Sequence, residues 1–96
     1  MKIMITFSLQ PDPTLRNAAI QRFSQTGGPL PDGAKLLGRW TAADLSHGFL
    51  LVETDDADVL AEFCLLWSDI MRLKAVPVIE DAALGRVLSK APAGGT

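Results

Sequence analysis

The chain is poor in the side chains that carry most acid–base, redox and metal chemistry. It has one histidine, His47, and one cysteine, Cys64. Neither His-x-x-x-His nor Cys-x-x-Cys can therefore occur, and a single chain cannot supply a zinc site. A lone cysteine forms no internal disulfide, which suits a reducing compartment. Nine basic residues stand against eleven acidic ones, a formal charge of −2, and no lysine or arginine cluster occurs. That argues against a groove for nucleic acid and against binding to an anionic membrane surface. No run nears the ~20 apolar residues that span a bilayer. The opening "MKIMITFSL" has the charge and apolar run of a very short signal peptide, but "QPDPT" follows at once and no small-residue cleavage site is present. The expectation is a soluble cytoplasmic protein, with no metal, no cofactor, no nucleic-acid partner and no membrane partner.

Two polar stretches invite a functional reading and fail it. "ETDDAD" lacks the glycine turn and distal glutamate of a calcium loop, and its acids serve better as helix caps. "TGGPLPDG" has glycines for a phosphate cradle, but no Lys-Ser/Thr follows and two prolines remove amide donors. It reads as a connecting loop.

What the chain does have is apolar patterning. Of 96 residues, 48% are hydrophobic and 21% charged, which fits one folded domain. Lys2 to Leu9 alternates as a strand, with Ile3, Ile5, Phe7 and Leu9 on one face. Asp12 and Pro13 open a helix over Thr14 to Gln25, whose apolar stripe is Leu15, Ala19, Ile20 and Phe23, and Gly27 is placed to end it. Lys35 to Thr41 predicts a second strand, its alternation setting Leu36, Gly38 and Trp40 opposite Lys35, Leu37 and Arg39, so that Lys35 and Arg39 make a charged edge. "AADLSHG" turns the chain into a third strand, Gly48 to Glu53. Thr54, Asp55 and Asp56 compete to cap a second helix, in which Val59, Leu60, Phe63, Cys64 and Trp67 keep the helical period. Leu73 to Ile79 is the last strand, held to an edge or a bulge by Pro77.

The order β-α-β-β-α-β is that of a ferredoxin-like α+β fold, a four-stranded antiparallel sheet with its helices on one face. Right-handed crossovers put the first and third strands in the middle. The domain is expected over residues 1–80. Residues 81–96 add a short helix, Asp81 to Leu88, and a frayed tail, "KAPAGGT". In "GFLLVETDD" the third strand is apolar on both faces. Phe49 and Leu51 share one parity, Leu50 and Val52 the other. Helices cover only one side, and monomers seldom leave a large apolar patch wet. A homodimer through the helix-free sheet face is the economical cover.

The blocks "LPDGAKLLGRW", "GFLLVETDDADVL" and "WSDIMRLKAVPV" resemble a family of small bacterial proteins known as domain of unknown function thirty-three-oh-three. The resemblance covers Ile3 to Ile79. It implies a dimeric α+β barrel, in which two ferredoxin-like sheets face each other, and it brings no assigned activity.

Four residues stand as candidates for ligand binding: Trp40, His47, Glu53 and Trp67. Catalytic residues cannot be named. His47 is the only side chain whose ordinary titration falls near neutrality. It shares parity with Glu53, but six residues of regular strand hold the two about 20 Å apart. Trp40 ends an edge strand and could wall a pocket between sheet and helices. Trp67 lies on the core stripe of the second helix, and each indole N–H wants a partner when buried. The function expected is a small-molecule-binding or interaction module, its ligand a small apolar molecule. The alternative is a small cofactor-free enzyme similar to the monooxygenases or isomerases of that superfamily, which the fold alone motivates. A haem-using form would have His47 as its one imidazole ligand.

Overall fold

A computed structural model describes residues 1–92. In chain order the elements are β1 (Lys2–Leu9), α1 (Pro13–Thr26), β2 (Lys35–Thr41), β3 (His47–Glu53), α2 (Ala57–Trp67), β4 (Met71–Val78) and α3 (Asp81–Leu88). The four strands form one antiparallel sheet in the order β2-β3-β1-β4. This is the ferredoxin-like arrangement, with β1 and β3 central as the crossover rule requires. The end of the expected frayed tail, 93–96, lies outside the described residues.

Local chemistry sets the helix ends. The Asp12 carboxylate accepts a 2.8 Å hydrogen bond from the Thr14 amide, and Pro13 opens α1 where an amide would go unpaired. Gly27 closes it in the left-handed region (φ 75°), donating to the Phe23 carbonyl at 2.7 Å. Of the three residues that compete to cap α2, Asp56 takes the role, accepting from the Asp58 amide at 2.9 Å. Thr54 does something else. Its buried hydroxyl donates to the Gly33 carbonyl and accepts from the Asp56 amide, tying the turn before β2 to the start of α2.

The core lies between the sheet and α1 and α2. Ile3, Ile5, Leu50 and Val52 rise from the central strands to meet Ala19, Phe63 and Trp67, with Ile70 at the entry to β4. Ile5 is fully buried and Val52 is 1% exposed, so this parity of β3 belongs to the helices. Phe49 and Leu51 point to the open face, where they pair across the sheet with Thr6 and Met4. Burying a large aliphatic side chain is worth ~1.5–3 kcal/mol, which makes this four-residue seam the main anchor of the sheet.

β2 departs from simple alternation. Leu36 pairs with Val52, Gly38 pairs with Leu51, and Leu37 between them has no partner. This bulge inverts every side chain downstream. Arg39 and Thr41 pass to the helix face. Gly38 and Trp40 join Lys35 on the open one. The expected charged edge of Lys35 with Arg39, and the grouping of Trp40 with Leu36, are corrected by that one extra residue.

α3 contributes nothing to the core, and its Ala82, Ala83 and Arg86 border a shallow surface groove with Lys2, Glu53 and Val78. None of its residues is buried, and Leu84, Val87 and Leu88 are exposed along it.

Candidate functional site

Sheet and helices do not close completely. Between them is a cavity of about 210 Å³. Its floor is made of the buried residues Ala19, Leu50, Phe63 and Trp67, and its sides of Phe7, Leu9, Met71 and Leu73. Exposed Ile20, Phe23 and Leu45 form the rim, together with Gly28, Arg39 and Thr41. The lining is apolar except for Ser24, Thr41 and Arg39. Ser24 donates to the Ile20 carbonyl of its own helix at 2.9 Å, a common use of a mid-helix serine.

Small residues make this geometry possible. On β3, Gly48 faces Phe7 across the pair. A Cβ there would stand 2.6 Å from Cε1 of Phe7 and 2.7 Å from the Trp40 carbonyl oxygen, so only glycine lets the Phe7 ring lie over the strand. Gly28, at φ 58°, is left-handed and equally confined: its Cβ would meet Arg39 Nη1 at 3.0 Å and Phe23 Cδ2 at 3.1 Å.

Two guanidinium groups brace α1. Arg22 reaches the far end of α2, where it forms a bidentate pair with Asp69 (2.8 and 3.0 Å) and donates to the Leu66 carbonyl at 2.8 Å. It also stands 5.4 Å from the ring centroid of Trp67, fixing that wall of the cavity. Pairing with Arg22 holds the Asp69 carboxyl below the usual range. Arg39 donates to the carbonyls of Gly28 at 2.9 Å and Gly27 at 3.0 Å, and lies 5.0 Å over the ring of Phe23.

Of the four residues singled out from the sequence, Trp67 lines the cavity and the other three lie elsewhere. Trp40 is on the open face, 57% exposed and opposite Phe49. Unbroken alternation would leave it free to wall a pocket between sheet and helices; the bulge in β2 carries it to the other side. His47 is also on the open face, its ring edge-on to Phe49 at 5.2 Å. Ser46 Oγ lies 2.7 Å from both Asp44 Oδ1 and His47 Nδ1. The Ser46 hydroxyl donates to the Asp44 carboxylate, so Asp44, Ser46 and His47 form one short run of polar contacts at the hairpin. The Ser46 hydroxyl and amide hold the Asp44 carboxyl below its usual range. Glu53 ends the same strand, paired across it with Lys2 and Lys35 and accepting from the Met1 amino group at 2.9 Å. The distance expected along β3 separates His47 from Glu53, and the structure does not bring them together. Cys64 is half-buried, and desolvation pushes its thiol up, the state of an unreactive side chain. Among the described residues no cluster of histidine, cysteine and carboxylate side chains could hold a metal ion.

Arg39, Phe23, Phe7 and Leu45 were not foreseen as site residues. Leu45 and Arg39 come from a hairpin and a bulged strand, whose facing depends on one unpaired residue. Phe7 and Phe23 read as ordinary core.

A family model described as "Domain of unknown function (DUF3303)" matches residues 1–92. Among solved structures, that of Rv0793 from Mycobacterium tuberculosis is similar at 14% identity, covering 85% of this chain and 99% of that one with a TM-score of 0.54. At that identity the likeness is one of fold. No protein of curated function matches the chain.

Proposed function

The chain belongs to the DUF3303 family, and from that premise we propose that it is a small-molecule-binding module whose ligand sits between the sheet and the helices. One observation carries this: an apolar cavity of about 210 Å³ walled by α1, α2 and all four strands. A dry apolar cavity of ~150 Å³ is enough to bind benzene. The cavity opens to solvent past Ile20, Phe23 and Leu45, and concave, mostly apolar sites with a few polar groups are where small molecules bind. The binding unit is residues 1–80, with 81–96 as an appendage. Cytoplasmic residence rests on the lone Cys64; among the described residues no helix is long and apolar enough to cross a membrane.

The module works as a homodimer joined through the open sheet faces. Support comes from the apolar side chains there: Trp40, Phe49, Leu51, Met4 and Val76 lie in adjacent cross-strand rows, and Trp40 and Val76 are exposed. The ends of that face carry Lys35, Glu53, Arg72 and Lys74, a polar rim of the kind interfaces have. Trp40 and His47 then act at the interface, and Trp67 in the cavity. The exposed stripe of α3 is available to the same partner copy.

The enzyme alternative draws on fold alone. The only polar side chains in the cavity wall are Ser24, Arg39 and Thr41, and none of them is a histidine, carboxylate or thiol of the kind that serves as a general acid or base.

The test pairs native mass spectrometry of the purified protein with NMR titration by benzamide as a neutral probe. A retained small molecule, or a probe that shifts the Trp67 indole N–H while sparing Trp40, is the expected result. A protein that retains nothing and leaves the Trp67 signal unmoved by the probe would overturn the binding reading. Sedimentation equilibrium tests the assembly: a dimer at micromolar concentration is expected for the unmodified chain and a folded monomer for Leu51→Asp, which places an unpaired charge in the joined face. A monomeric unmodified chain would sink the dimer.

A further inference from the structure

The two arginines that brace α1 are built alike and finished differently. Each guanidinium lies over an aromatic ring of the cavity, Arg22 over Trp67 at 5.4 Å and Arg39 over Phe23 at 5.0 Å. Each donates to backbone carbonyls. Arg22 is completed by a bidentate carboxylate, Asp69. Arg39 has no such partner: among the described residues no carboxylate oxygen lies within 4 Å of it.

The hydrogen-bond count sharpens the contrast. A guanidinium has five N–H donors, and Arg39 uses one on Nη1 and one on Nη2. Three remain, on a planar fork that is half-buried at an apolar rim. The cavity wall has no acidic residue. Carbonyl dipoles offset part of a cation's lost hydration, but a partly desolvated charge gains most from an anion with matching geometry. The fork is also fixed in advance, since Gly28 leaves room for the stack on Phe23 and supplies one acceptor. Little side-chain ordering remains to be spent when an anion arrives.

We propose that the cavity takes a small amphipathic anion, its compact apolar body between Phe7, Phe63 and Trp67 and its carboxylate on the free N–H groups of Arg39. This rests on the small-molecule-binding reading and names the ligand class for it. Scaling from benzene in a ~150 Å³ cavity, about 210 Å³ holds an apolar body of roughly eight non-hydrogen atoms. A substituted aromatic or branched aliphatic carboxylate fits, whereas a long acyl chain or a nucleotide does not. Thr41, at the same rim, supplies a hydroxyl for the second carboxylate oxygen.

The experiment compares benzoate with benzamide, which match in shape and differ in charge, by NMR titration of the Trp67 indole N–H in the unmodified protein. Benzoate is expected to bind about tenfold or more tightly, as a charge-assisted hydrogen bond would give, and the margin should shrink as sodium chloride is raised. In Arg39→Gln the margin disappears, benzoate falling to the affinity that the same variant shows for benzamide; Arg39→Lys keeps part of it. A role of Arg39 limited to bracing α1 would change stability in both variants and leave no margin to lose. Equal binding of the two probes to the unmodified protein overturns the anion assignment and leaves the cavity reading standing. Failure of both probes to move the Trp67 signal overturns the two together. If neither variant folds, the benzoate–benzamide comparison in the unmodified protein still decides the matter.

Discussion

The indole of Trp40 lies flat over Gly38 two residues earlier on β2, so that a Cβ on Gly38 would come within 2.9 Å of Cζ2. Both residues face the open side because of the bulge at Leu37. The missing side chain is what lets a 57% exposed tryptophan rest on the sheet beside Phe49. Gly38→Ala should therefore lift the ring and leave the fold intact, because an exposed indole can rotate away. The expected outcome is a red-shifted tryptophan emission and a weaker dimer, with a urea midpoint little changed. A large loss of monomer stability would show that the ring is more firmly held than its exposure implies.

Phe63 and its neighbour Glu62 test the face of α2. Phe63 is 5% exposed and lines the cavity, while Glu62 is exposed. Phe63→Ala should cost about 3–5 kcal/mol, and Glu62→Ala should fall within about 0.5 kcal/mol of the unmodified protein. Urea denaturation of the two variants settles it, and equal losses would contradict the packing described.

Leu45 sits at the hairpin tip with φ 63°, the only non-glycine residue at positive φ among those described. A leucine in that region is strained by roughly 1–2 kcal/mol, yet its side chain forms part of the cavity rim. Asparagine tolerates the conformation better and lacks the apolar surface. Leu45→Asn is thus expected to hold or raise the melting temperature while lowering benzamide affinity. Thermal denaturation and the NMR titration read the two effects separately, and a variant that loses stability but keeps its affinity would reverse the argument.

The Arg22–Asp69 pair predicts a pH dependence of definite sign. The folded state holds the Asp69 carboxyl below its ordinary value because Arg22 donates to it and carries the opposite charge. A lowered folded-state pKa contributes stability that is fully present above the unfolded value, about 3.9, and is lost as pH falls through the folded value. Asp69→Asn should be less stable than the unmodified protein at pH 7, with the gap closing below about pH 4. Urea midpoints measured from pH 7 to pH 3 check this. A gap that stays constant with pH would mean the loss comes from packing and not from charge.

The fold was legible because its signals are local and repeated. Ile3, Ile5, Phe7 and Leu9 alternate without interruption, Asp12 with Pro13 and Gly27 bracket α1, and Asp81 to Leu88 matches α3 at both ends. Strand order followed from connection rules that hold for any such chain. The two-sided apolar character of β3 was equally plain in "GFLLVE", although pattern alone could not say that Leu50 and Val52 take the helices and Phe49 and Leu51 the open face.

The site was less legible. Alternation assumes an unbroken ladder, and one unpaired residue, Leu37, reverses Gly38, Arg39, Trp40 and Thr41 together. Gly38 in "KLLGRWT" is a mark of a bulge, but it does not say which residue goes unpaired, because that depends on which partner of β3 wins the pairing with Leu36 and Gly38. Arg39 thereby became a cation beside an apolar cavity and Trp40 a residue of the opposite face. The amino-acid sequence alone determined the elements, their order and the lack of metal-ligand spacing, since each rests on a few neighbouring side chains. Tertiary structure alone decided which side chains share a cavity, because that depends on register between strands far apart in the chain, and a shift of one residue sends a side chain through the sheet.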